Sequence, residues 1–140
     1  MTRDEVAAFI AEFEGCRLSK QRWTHAAHLT AGFWYLQDQA EALATMRHNI
    51  RRHNESVGTP NTDSDGYHET ITRLYLYGIE RHIRAHQGLS FEASLQALLD
   101  SELGSSAWPL RYYSRERLFS VAARREWVDP DLQFLEPSQT

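Results

Sequence analysis

Apolar positions along this chain recur at helical rather than strand spacing. Val6, Phe9, Ile10 and Phe13 fall at i, i+3, i+4 and i+7 behind Thr2 and Glu5, a Thr-x-x-Glu capping box, and Gly15 closes the segment. Thr24 is a natural N-cap for a second helix running to about Gln37. From about Gln39 to Val57, Leu43, Ile50 and Val57 recur every seventh residue, with Arg51, Arg52 and Glu55 outside. The turn-rich run from Gly58 through Pro60 and Asn61 to Gly66 is a loop. A fourth helix, from about Tyr67 to His86, turns Ile71, Leu74, Tyr75, Ile79 and Ile83 inward, and Ser90 caps a fifth carrying Phe91, Leu95, Leu98 and Leu99. Beyond Gly104 the pattern weakens. Ser114 and Ser120 each cap a short helix, and Asp129-Pro130 begins an extended tail. No alternating strand persists, and no repeat or linker divides the chain. The expectation is an all-α fold: one domain over 1–140, a helical bundle of about five main helices with short C-terminal helices and a tail from about 129.

Composition narrows the function classes. With 140 residues, 41% apolar and 24% charged, the chain suits a globular domain with one sizeable core. Its apolar runs are too short to span a membrane. Met1 to Glu5 is charged and lacks the basic-then-apolar layout of a secretion signal. One cysteine, Cys16, allows no internal disulfide, so a bacterial-type cytoplasmic setting is expected. A net charge of −4 argues against a nucleic-acid partner, and the basic clusters Arg47/Arg51/Arg52 and Arg81/Arg84 have acidic neighbours.

Two segments carry the candidate chemistry. Trp23-Thr24-His25-Ala26-Ala27-His28-Leu29 puts two imidazoles three residues apart, about 60° around one helix, in a first turn whose dipole favours the neutral, ligating form. Gly66-Tyr67-His68-Glu69-Thr70-Ile71-Thr72 puts an imidazole and a carboxylate side by side at the start of another. If those helices pack together, His25, His28 and His68 can ligate one divalent transition metal: zinc, iron, manganese or copper. Glu69 is then fourth ligand or general acid/base, Glu12 and Glu14 are spare carboxylates, and Tyr67 flanks the catalytic group.

Duller readings exist for each group. First-turn histidines often only bond a backbone carbonyl, and seven histidines in this chain produce chance pairs. His82 and His86 have zinc-like spacing but suit a helix C-terminus, while His48 and His53 flank arginines and read as solvated. Cys16 reads as a packed thiol. Trp23, Phe33, Trp34 and Tyr35 gather on the helix of the two histidines, Tyr67 and Tyr75 accompany His68, and Tyr112 and Tyr113 approach from the C-terminal segment. Most of these aromatics are core. Trp34, Tyr75 and Tyr113, with Asn61, are the candidate substrate-binding groups. Asn54, Asn61 and Asp63 also suit the fixing of the loop before His68.

The pattern Trp-Thr-His-x-Ala-His-Leu at 23–29, then Asn-Thr-x-x-x-Gly-Tyr-His-Glu-Thr-Ile-Thr at 61–72 and Arg-Tyr-Tyr-Ser-x-Glu-Arg-Leu-Phe-Ser at 111–120, resembles a family of small bacterial proteins with no assigned activity. Trp127 to Leu132 also fits, so the resemblance spans about Phe13 to Leu135. It supports the choice of segments and implies no particular chemistry.

The expected function is a metal-dependent enzyme, hydrolase or oxidoreductase, that activates water or oxygen against a small organic molecule. Two alternatives stand beside it. One is a non-catalytic small-molecule-binding protein that sequesters its ligand among the aromatics. The other is a metal-free enzyme using His68 and Glu69 as an acid/base pair. A homodimer is compatible with a bundle this small.

Overall fold

The computed structural model describes residues 1–37 and 40–136. It is all-helical, with no strand among the described residues. Five substantial helices make up the bundle: α1 (Arg3–Glu14), α2 (His25–Tyr35), α3 (Ala42–Ser56), α4 (Glu69–Ala85) and α5 (Phe91–Asp100). Two short ones, α6 (Arg115–Leu118) and α7 (Val121–Arg125), follow. Among the described residues, no helix is long and apolar enough to cross a membrane. The expected start of α3 at Gln39 lies outside the described residues.

The N-termini are built by the predicted caps. Thr2 Oγ1 accepts from the Glu5 amide (3.1 Å) while Glu5 accepts from the Thr2 amide (2.9 Å), closing the capping box. Thr24 accepts from Ala27 N, Ser90 from Ala93 N, Ser114 from Arg117 N and Ser120 from Ala123 N. One start differs from expectation. The cap of α4 is His68 itself, whose ring nitrogen Nδ1 accepts from the Ile71 amide at 3.1 Å. Gly15 caps the end of α1 as expected, and the residue in the left-handed region is the next one, Cys16 (φ +57°).

Helix α4 is the central post, packed against α2, α3 and α7. Its approach to α2 is close because Gly32 has no side chain. A Cβ there would lie 2.9 Å from Ile79 Cδ1 and 3.3 Å from Leu76 Cδ2. Phe13, Leu29, Phe33, Leu74, Ile79 and Leu98 are fully buried at the centre. Ile71, Tyr75 and Ile83, expected inward, are only half-buried. For Ile71 and Tyr75 the reason is that they line a hollow between α2, α3 and α4 rather than solid core.

Helix α3 corrects the seven-residue reading. Its buried face is Ala42, Met46, Asn49, Ile50, His53 and Asn54, whereas Leu43 and Val57 are half-buried. The C-terminal segment is tied back over the bundle. Tyr113 Oη donates to Val128 O (2.6 Å), Ser114 binds the Asp131 carboxylate (2.8 and 2.7 Å), and Thr70 Oγ1 donates to Glu126 O (2.9 Å).

Candidate functional site

Local rules bring α2 and α4 in with their polar first turns at neighbouring positions. Between them and α3 lies a mostly apolar hollow of about 270 Å³, walled by Leu29, Met46, Ile50, Leu76 and Ile79 together with His25, His28, Thr72 and Tyr75. A second hollow of about 400 Å³ contains Trp23, His53, Tyr67 and His68, with Lys20, Phe119 and Arg124 also on its wall. His28, Ile50, Ile71 and Thr72 line both, so they form the wall the two hollows share.

Backbone carbonyls set the state of every imidazole here. His25 Nε2 lies 2.9 Å from Leu103 O, His28 Nδ1 2.8 Å from Thr24 O, His53 Nε2 3.1 Å from Leu18 O, and His68 Nε2 2.7 Å from Leu118 O. A carbonyl oxygen only accepts, so each of those nitrogens carries the proton and the other nitrogen of the neutral ring is an acceptor. For His68 that acceptor is already used by the Ile71 amide. For His53 it is sealed and unpartnered. His25 Nδ1 and His28 Nε2 carry no hydrogen bond.

Trp23 and its surroundings desolvate His28. The indole packs on that ring with centroids 3.9 Å apart, and Phe13 stacks on the same indole at 4.4 Å. Burial is the largest influence on His28. It outweighs the bond to Thr24 O, and with repulsion from His25 and His53 it pushes the imidazole pKa down to about 4. His28 is therefore neutral at neutral pH. Burial likewise lowers His68, against the pull of its bond to Leu118 O.

Glu69 is in a different state. Arg47 grips it twice, Nε to Oε1 at 2.9 Å and Nη2 to Oε2 at 2.7 Å, and Tyr67 Oη donates to Oε1 at 2.7 Å. Burial pushes its pKa up, but these bonds and the Arg47 charge outweigh burial and hold the carboxyl below its ordinary value. The same contact, added to burial, raises the Tyr67 hydroxyl. Glu69 lines neither hollow.

The expected metal set does not assemble in this arrangement. Among the described residues, no three His, Cys, Asp or Glu side chains are grouped so as to hold one ion. His25 and His28 share a hollow, but His68 has no lone pair to offer and Glu69 is engaged at both oxygens by Arg47 and Tyr67. The spare carboxylates are engaged elsewhere, Glu12 with Arg22 (2.6 Å) and Glu14 with Tyr35 Oη (2.6 Å).

Of the expected substrate-binding groups, Tyr75 lines the first hollow, its ring edge-on to His25 at 5.0 Å. Trp34 lies instead against Phe91 and Arg3, and Tyr113 is buried under Val128. Asn61 is part of the loop itself, accepting from Tyr67 N and Asn54 Nδ2 and donating to Arg51 O. That loop needs Gly66. Its φ is +81°, and a Cβ would lie 2.4 Å from Pro60 O.

His53, read from sequence as solvated, is wholly buried beside Phe13 and Trp23. A signal for it exists: Met46, Asn49, Ile50 and His53 follow i, i+3, i+4, i+7, a stripe obscured by its own polar members. His82, also buried, donates to Ser94 O, and its ring stacks on His86. Comparison with protein-family models, curated proteins and solved structures finds no match to this chain.

Proposed function

We propose that this chain binds a small, largely apolar organic molecule in the hollow between α2, α3 and α4, and does not transform it. The observation that carries this reading is His28: a neutral imidazole with an unused Nε2 on the wall of a mostly apolar hollow. Such a site is mainly hydrophobic with a few placed polar groups, the usual make-up of a small-molecule pocket. Catalysis is less well supported. A base with a pKa of about 4 is far from the neutral range where general bases work best. Glu69, the other candidate base, is held ionised by Arg47 and Tyr67 away from both hollows.

The test is to analyse the chain, purified without a histidine tag, for organic extract by mass spectrometry and for bound metals. Small aromatic and aliphatic compounds are then screened by thermal shift. A ligand present at 100 times its Kd stabilises by about 2.7 kcal/mol, enough to move the melting temperature by several degrees. The expected outcome is such a shift, abolished by filling the hollow in Ile71→Trp, with no stoichiometric metal. About one zinc, iron, manganese or copper per chain, lost in His25→Ala and His28→Ala, overturns this reading in favour of a metal-dependent enzyme.

A further inference from the structure

The wall of the first hollow has an uneven hydrogen-bonding inventory. Four polar side chains line it, and each has already given its proton to a backbone carbonyl. Thr72 Oγ1 donates to His68 O (2.8 Å) and Tyr75 Oη to Ser105 O (2.8 Å). His25 Nε2 donates to Leu103 O and His28 Nδ1 to Thr24 O. Acceptors remain: His25 Nδ1 and His28 Nε2 have no partner, and the two hydroxyl oxygens keep weaker lone pairs. No Lys, Arg, Asp or Glu lines this hollow. The wall can therefore accept protons from a ligand but offers none.

We propose that the ligand is a neutral aromatic molecule of one or two fused rings carrying a ring N–H or O–H, bound with that donor on His28 Nε2 or His25 Nδ1. The inference rests on the binding reading above and adds the ligand's chemistry to it. An anion would place its oxygens against imidazole lone pairs with no cation beside them, which is repulsive. A cation would lose its hydration in a hollow that holds no carboxylate. Only a neutral donor matches both the apolar walls and the free acceptors. Size agrees: a dry cavity of about 150 Å³ accepts benzene. The 270 Å³ here accommodates a fused bicycle such as indole. The cations Lys20 and Arg124 belong to the second hollow, and Arg124 is already bonded to Gly66 O (3.0 Å).

The experiment is calorimetric titration of the full chain at neutral pH with indole, 1-methylindole and indole-3-carboxylate. Imidazole nitrogen shifts are followed by NMR. Indole is expected to bind about tenfold more tightly than 1-methylindole, the worth of one neutral hydrogen bond. The signal of His28 Nε2 or His25 Nδ1 should move with indole and not with its methyl analogue. In His28→Phe or His25→Phe, whichever ring accepts the proton, the two affinities should converge to within about twofold. The contrast between the two indoles in the unmodified chain carries the test even where a variant fails to fold. Equal affinity for both indoles overturns the donor inference and leaves the binding reading intact, and so does tighter binding of the carboxylate. No binding by any of the three overturns the donor inference, and the binding reading falls with it only where the wider screen and the extract also yield no ligand.

Discussion

The His25/His28 turn of α2 and the His68/Glu69 turn of α4 start from similar ingredients. Each places imidazoles at a helix start, next to a short loop, with a proton donated to a backbone carbonyl. They end in opposite states. At α4 the second ring nitrogen caps its own helix and Arg47 and Tyr67 hold the adjacent carboxylate, so both ring nitrogens and both carboxylate oxygens are engaged internally. At α2 the cap is supplied by Thr24, which leaves His28 Nε2 and His25 Nδ1 without partners on rings that line a hollow. The difference teaches that a polar motif keeps free hydrogen-bonding groups only where some other residue has taken over its structural work.

Acid breaks the comparison most strongly. His28 titrates near 6.5 when unfolded and near 4 when folded, so between those values the unfolded chain binds more protons and stability rises with pH. Its full contribution is present above pH 6.5. By pH 4 about 3 kcal/mol is lost, measured as the difference in urea unfolding between wild type and His28→Phe at pH 7 and pH 4. An equal acid loss in both proteins would mean that the His28 ring is not desolvated. Glu69 acts in a lower window. Its folded value lies below 4.5, so its stabilisation holds above that point and fades only as pH falls further. Glu69→Gln should therefore alter the profile below pH 4.5 and leave the His28 step in place.

Next in size is His68→Ala, expected to cost about 2–3 kcal/mol at pH 7. It removes the cap of α4 and leaves Leu118 O unpaired. His25→Ala, which frees only Leu103 O, should cost about 1 kcal/mol in the same chemical denaturation. Matching costs would erase the distinction between a saturated and an unsaturated turn. Arg47→Met is expected to cost a similar amount, about 1 kcal/mol, because that guanidinium is 43% exposed and its pairing is screened by water. Ligand binding should survive Arg47→Met and not Ile71→Trp, which puts a larger side chain on the wall the two hollows share.

Much of the architecture was legible because it depends on local physics. Helical spacing of Val6, Phe9, Ile10 and Phe13, the Thr2–Glu5 box, and the Ser and Thr caps are settled within a few residues of themselves. The two motif segments could also be picked out, and both fall at helix starts. The Leu43/Ile50/Val57 stripe misread α3 because Asn49, His53 and Asn54 are buried, and a polarity pattern cannot register a polar residue that finds its partners inside.

The sequence alone determined the helices, their caps and the neighbourhood of the chemistry. Tertiary structure decided which histidine nitrogens are free. The carbonyls of Leu103, Leu18 and Leu118 that take up imidazole protons come from residues 78, 35 and 50 positions away, and Arg47 reaches Glu69 across 22. Such bonds exist only once the helices are packed, because a single hydrogen bond does not offset the entropy of closing loops that long.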